Sequence, residues 1–249
     1  MTSLAERVGV LGTPEIVVAL HQPNFFPWLG YFDKLVRADA FVLLDNVQFS
    51  KTGGTWSNRV RLLSGDAPSW ITLPLVRAYS GVRLVREMQI DNRQPWRRKF
   101  LQTLRTYYAR ANHFSAVFPE VAALVENGTG SLVDFNRHAI TELCRLMEID
   151  TSKVVLGSSL SVGGDATDLL VSTVRAAGGS AYLCGGGSEG YLENEKFEQA
   201  GLRLIHQNFL HPTYSQGAND TFVPGLSCID ALMHCGFRGV RALLGGVQS

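Results

Sequence analysis

The chain has 249 residues, 45% hydrophobic and 10% aromatic, enough apolar surface for one packed core or two small lobes without disulfide or metal staples. Its 23 Lys and Arg against 22 Asp and Glu leave a formal net charge of +1, which excludes a uniformly basic surface of the kind that coats nucleic acid. The charge is unevenly placed: residues 57–110 hold eleven Lys or Arg against Asp66, Glu87 and Asp91, a local +8 balanced by −7 elsewhere, compatible with a site for an anionic ligand or an acidic partner.

Residues 16–20 form a short β-branched apolar run, followed by the turn His21-Gln22-Pro23-Asn24 and then by Trp28, Tyr31, Phe32, Leu35 and Val36 at helical spacing. Residues 40–44 are a second buried strand ending in Asp45-Asn46-Val47-Gln48, so 16–48 read as a βαβ unit. Its polar groups fall at strand tips, where an open parallel sheet binds ligands. Residues 59–63, 70–76 and 85–90 are short extended runs separated by turn residues, a small antiparallel excursion. Helices are predicted over 95–111, 114–125 and 132–147, then α/β alternation resumes. It runs strand 153–157, helix 166–177, strand 181–184, helix 193–200, strand 202–207 and a last helix capped near Ser227. The fold class expected is α/β: a mostly parallel Rossmann-like sheet with the antiparallel excursion and a helical insertion at about 93–150. Residues 1–15 are expected to be a flexible N-terminal segment and 16–249 a single domain.

Cys144, Cys184, Cys228 and Cys235 show no CxxC pair and no Cys/His ligand spacing, so neither a disulfide framework nor a metal site is expected. A reducing cytoplasm is the expected compartment. No basic-then-apolar leader opens the chain, and no apolar run is long enough to span a bilayer, so no membrane association is expected.

Several groups could carry chemistry. His21 with Gln22 and Asn24 at a strand tip can hold anionic oxygens or exchange a proton near pH 7, or simply brace a turn. Asp45, Gln48 and Lys51, followed by Trp56, Asn58 and Arg59, could orient an amine or neutralise an anion. Asp45 and Arg59 could equally pair with each other. Arg59 and Arg61, two apart on a strand, share a face and suit a planar anion. Residues 182–191 read as strand, glycine loop and helix. Gly185, Gly186 and Gly187 would let backbone N–H groups approach an anion, although the string is not a phosphate-binding fingerprint. Cys184 could be a nucleophile with His21 or His211 as its base, or a small buried packing residue. Tyr214 adds a polar group near His211, and Asp230 in the first turn of the last helix could merely complement the helix dipole.

These motifs together resemble the WbqC-like family. The resemblance is carried by His21-Gln22-Pro23-Asn24 with Pro27-Trp28-Leu29-Gly30, Asp45 to Lys51, Trp56-Ser57-Asn58-Arg59, Tyr182 to Gly185, Tyr191-Leu192 and Phe222 to Asp230, and runs from about Val17 to Gly236. Two positions depart from the family's usual pattern: Asn46 stands where a second Asp is common, and Cys184 where Ser is frequent. The resemblance implies attachment of a small acyl or aminoacyl group to an amine in polysaccharide or natural-product assembly. The donor would be a carrier-protein thioester, the acceptor a small-molecule amine, and no cofactor would be needed.

In that scheme His21 or His211 is the base and Asn24, Asn58 and the 185–187 backbone are oxyanion donors. Asp45, Lys51 and Cys184 complete the catalytic candidates. Gln22, Trp28, Gln48, Trp56, Arg59, Gly185, Gly186, Tyr191, Tyr214 and Asp230 complete the binding ones. The alternatives are an ATP-dependent ligase working through an acyl-adenylate, whose usual HxGH signature the chain lacks, and a non-catalytic binder of an anionic metabolite. Nucleic acid is not expected as a partner, and the sequence does not determine the oligomeric state.

Overall fold

A computed structural model describes residues 14–50, 55–186, 193–217 and 221–245. Five strands, β1 (Val17–His21), β2 (Ala40–Leu43), β5 (Val154–Leu156), β6 (Ala181–Cys184) and β7 (Arg203–His206), make one sheet in the order β5-β2-β1-β6-β7. Every neighbouring pair is parallel. Helix α1 (Leu29–Arg37) links β1 to β2, α5 (Ala166–Ala176) links β5 to β6, and α6 (Asn194–Gln199) links β6 to β7.

Alternation along the strands sends side chains to two cores. Ala19, Phe41, Leu43 and Leu183 join the larger one, shared with α1, while Val18, Leu20, Val42, Tyr182 and Cys184 pack with Val174 of α5 and Phe197 of α6. The sheet is therefore covered on both faces. Chain order runs outward from β1 to β2 and β5, then returns to the other side of β1 for β6 and β7. The carboxyl ends of β1 and β6 thus flank the topological switch point, the usual ligand crevice of such sheets.

Between β2 and β5 lies the excursion. β3 (Arg59–Ser64) and β4 (Ala67–Thr72) form an antiparallel hairpin, and α2 (Trp96–Tyr108), α3 (Phe114–Val125) and α4 (Leu132–Leu146) follow. The last helix, α7 (Cys228–Gly245), is bent at Gly236. Ser227 caps its start, the Oγ accepting from the Ile229 N–H at 3.2 Å, as the sequence suggests.

Two extended runs differ from expectation. The second starts at Ala67 and ends at Thr72, because the positive φ of Gly65 turns the chain directly into the return strand. The third is a 3-10 turn over Val85–Glu87 rather than a strand. Its backbone is spent on distant partners: the Val85 N–H donates to the Val47 carbonyl and the Arg86 N–H to the Asp45 carbonyl, each at 2.9 Å. A local pattern of apolar residues does not reveal such long-range bonds.

Among the described residues, no helix is long and apolar enough to cross a membrane.

Candidate functional site

The loop after β1 is held from beneath. Phe25 and Phe26 are 1% exposed and pack on Phe100 of α2 and Phe135 of α4, with ring centroids 5.4 to 6.3 Å apart. Asn136 of α4, fully buried, donates through Nδ2 to the Pro23 carbonyl at 2.8 Å and to the Ser57 carbonyl at 2.7 Å. Ser57 Oγ donates to Gln22 Oε1 at 3.1 Å, and the Phe25 N–H to the Trp56 carbonyl at 2.9 Å. From the other side, Ser227 Oγ donates to the Phe26 carbonyl and the Cys228 N–H to the Pro27 carbonyl, both at 2.8 Å. The helical insertion and α7 thus clamp the segment that carries His21, Gln22, Asn24 and Trp28.

Those four residues line a cleft of about 1430 Å³ at the carboxyl ends of β1, β2 and β6. This exceeds the usual span of a single small-ligand pocket and leaves room for two reactants. The wall continues through Asn46 and Gln48 after β2, Trp56 before β3, Gly185 and Gly186 after β6, and Gln207 to His211 after β7. Trp28 folds back over its own helix. A Cβ on Gly30 would lie 2.5 Å from Trp28 Nε1 and 2.9 Å from the Phe209 ring, so only glycine admits this packing. Trp28 in turn meets Trp56 (5.2 Å) and His21 (5.4 Å), giving one aromatic wall.

The cleft's two imidazoles and its lysine are all desolvated by burial. His21 Nδ1 lies 3.1 Å from the Gln22 carbonyl, which can only accept, so Nδ1 carries the proton and the Nε2 lone pair is left for other use. Burial, reinforced by the Lys34 charge, holds the His21 pKa down at about 3. Burial also lowers His211, whose ring meets Phe209 at 4.9 Å. Both imidazoles are therefore neutral at pH 7. Lys34 of α1 is 3% exposed and its pKa is pulled to about 8 by burial. The amide of Asn24, 2% exposed, has no hydrogen-bond partner for Nδ2 among the described residues, a rare condition for a buried donor.

Of the candidates read from the sequence, nine lie on the cleft: His21, Gln22, Asn24, Trp28, Gln48, Trp56, Gly185, Gly186 and His211. Six do not line it. Asp45 spends both oxygens on Ser158, accepting from the N–H at 2.8 Å and the hydroxyl at 2.6 Å, and so ties β2 to the turn after β5. It makes no ion pair with Arg59. Asn58 donates to the Leu73 carbonyl at 3.1 Å and braces the hairpin instead of facing a ligand. Arg59 stacks on Trp70 at 4.1 Å with Arg61 at 5.8 Å, on the outer hairpin. Cys184 is fully buried, its Sγ 3.3 Å from the Ile205 carbonyl and 3.4 Å from His206 Nδ1, so neither His21 nor His211 is the imidazole bonded to it.

Tyr214 and Asp230 sit together elsewhere. Asp230 accepts from the Tyr214 hydroxyl at 2.7 Å, the Tyr108 hydroxyl at 3.0 Å and Gln216 Nε2 at 3.2 Å, and Tyr108 also accepts from the Leu63 N–H. Burial raises the Asp230 pKa, and this hub joins α2, β3 and α7. Lys51 and Tyr191 lie outside the described residues, as does Gly187.

The sequence reading missed Lys34, Gln207 and Asn136. Lys34 and Asp33 follow Tyr31 and Phe32 on a helix buried from Leu29 to Leu35, so two adjacent charged residues between apolar ones were the available signal. Gln207 Nε2 donates to the Gly30 carbonyl at 2.6 Å and to Asp33 Oδ2 at 2.8 Å, fixing α1 to the end of β7. Among the described residues, no group of three His, Cys, Asp or Glu is placed to hold a metal ion.

Comparison with known proteins agrees with the motif string. No solved structure matches the chain. It is similar to a Mycobacterium tuberculosis (strain ATCC 25618 / H37Rv) protein described as "Uncharacterized protein Rv1507c", 25% identical over 220 residues, which cover 88% of this chain and 94% of that one. The WbqC-like protein family matches residues 22–242, from the residue after His21 to the far turns of α7, and the chain belongs to that family.

Proposed function

We propose that the cleft joins a small acyl or aminoacyl group to an amine, using a carrier-bound thioester as donor. The observation that carries this reading is the unpartnered, buried Asn24 amide on the same wall as two neutral imidazoles. A hydrogen-bond donor kept free in the ground state can meet negative charge that develops later. The amine nitrogen attacks the thioester carbonyl carbon, the C–N bond forms, and the carbonyl oxygen becomes an oxyanion facing Asn24 Nδ2. The C–S bond then breaks and the thiolate leaves.

One amine proton must go to a base and on to the thiolate. With a pKa of about 3, His21 is too weak a base for that step, and its Nε2 is suited to accept a hydrogen bond from the amine and aim its lone pair. His211, lowered only in part by burial, is the proton carrier. Compartment and partners follow from the same reading: a cytoplasmic enzyme, a small-molecule amine and an acyl or peptidyl carrier protein, with no cofactor.

Cys184 is buried and off the cleft, so transfer is direct. Cys184→Ser is expected to retain amide formation within about threefold, with no acyl adduct on the wild-type protein by intact mass. A stable adduct lost in the variant would establish a ping-pong path instead.

The strand order favours one second reading. A switch-point crevice is a common nucleotide site, which fits an ATP-dependent ligase forming an acyl-adenylate. The deciding experiment offers aminoacyl-carrier thioesters and an amine panel without ATP, then free amino acids with ATP, and reads the amide by mass spectrometry. Amide formed without ATP supports the transferase. An absolute ATP requirement overturns it in favour of the ligase, and binding without turnover in either arm leaves a non-catalytic binder.

A further inference from the structure

Lys34 is a buried cation with no counter-ion among the described residues. Its Nζ donates to the Leu20 carbonyl at 2.9 Å, stands 5.9 Å from the Tyr182 ring centroid, and takes part in no ion pair among the described residues. Asp33 beside it is committed to Arg37 and Gln207. Among the described residues, the groups that act on the ammonium from neighbouring elements are the His21 imidazole on β1 and the Tyr182 ring and Cys184 thiol on β6, and Asp165, the carboxylate on the same cleft wall, makes no ion pair with it. An ammonium has three protons to donate, and the carbonyl accepts one. Burying a charge this way is costly unless something else supplies the opposite charge.

The place for that something is open. Lys34 lines the cleft, and a Cβ on Gly185 would sit 3.8 Å from Nζ, which places the Gly185 backbone beside the ammonium on the same wall. Among the described residues no arginine lines the same cleft, so the arginines of residues 57–110 do not serve it.

We propose that Lys34 anchors an oxyanion subsite on the cleft floor, where a carboxylate or phosphate oxygen of the ligand seats on Nζ beside Gly185. The subsite requires only that the cleft bind a ligand, and does not depend on which bond the protein makes. The carboxylate would belong to an amino-acid-like reactant and the phosphate to a phosphorylated carrier arm or nucleotide. Because the anion needs the ammonium form, binding weakens as pH rises through about 8.

The test uses the full chain with inorganic phosphate and, separately, acetate as probes. The chain has five lysines, few enough for the Lys34 Cε signal of 13C-lysine-labelled protein to be assigned by its loss in Lys34→Arg. The expected result is that at least one anion raises the melting temperature and shifts the Lys34 titration upward, with the stronger of the two identifying the source. Lys34→Met is expected to lose the anion-dependent melting shift yet melt at or above wild type at pH 7 without anion, since it no longer buries an unpaired charge. An unmoved Lys34 titration at saturating concentrations of both anions overturns the proposal. So does an undiminished melting shift in Lys34→Met. If Lys34→Met does not fold, the wild-type titration decides alone. Failure here leaves amide formation untouched, because that reading is judged by product.

Discussion

Asn24→Ala is expected to lower kcat for amide formation by about 10²–10³-fold, the usual cost of removing one oxyanion donor, with KM changed little. The argument is geometric. Asn24 is 2% exposed, lines the cleft, and leaves Nδ2 without an acceptor among the described residues. A buried donor held in that state costs stability rather than supplying it, so its loss should leave the melting temperature at or near the wild-type value. That separation of activity from stability distinguishes transition-state work from a structural role, which would lower both together. Asn24→Asp should be the more damaging change, since it removes the donor and sets a like charge against the oxyanion. Single-turnover rates with a preloaded thioester and thermal melts of the same samples check the expectation. A wild-type kcat in Asn24→Ala would exclude Asn24 as the oxyanion donor.

The parallel sheet was readable because its central strands are short apolar runs buried on both faces, and their ends carry the polar motifs. The loop residues His21, Gln22, Asn24 and Trp28 were therefore found from strand position alone. What periodicity could not show was whether a polar side chain beyond a strand turns outward to a ligand or inward to the fold. Asp45 follows β2 as His21 ends β1, yet it is consumed by Ser158, more than a hundred residues away. Arg59 and Arg61 do share a face of β3, as their spacing requires, but that face belongs to the hairpin and its Trp70. Lys34 was overlooked for the opposite reason. A lysine on an amphipathic helix is ordinarily solvated, and here the ends of β1 and the distant β6 cover it, with Nζ on the Leu20 carbonyl and beside the Tyr182 ring. Local pattern fixes the element, but which face is covered depends on elements far away in the chain.

Asn136 makes that dependence testable. Its one amide nitrogen joins the loop after β1 to the loop before β3 by donating to the Pro23 and Ser57 carbonyls, while its own Oδ1 has no partner among the described residues. Asn136→Ala strands two buried acceptors at about 1–3 kcal/mol each, offset in part by removal of the orphaned Oδ1, for a net loss of about 2–4 kcal/mol. For a chain of this size that is roughly a 5–15 °C fall in Tm. Asn136→Asp should be worse at pH 7, because a carboxylate cannot donate to a carbonyl, and should recover on acidification. The buried carboxyl, raised by desolvation above its unfolded pKa, then binds a proton and regains one donor; this stability is present at low pH and lost as pH rises through the folded pKa. Asn136→Ala has no titrating group at this position and should show no such pH-dependent recovery relative to wild type. Melts of both variants at pH 5 and pH 7 check the sign. Because the clamped loops carry His21, Asn24 and Trp56, both variants should also lose turnover even where they remain folded, an effect of misplacement rather than of missing chemistry.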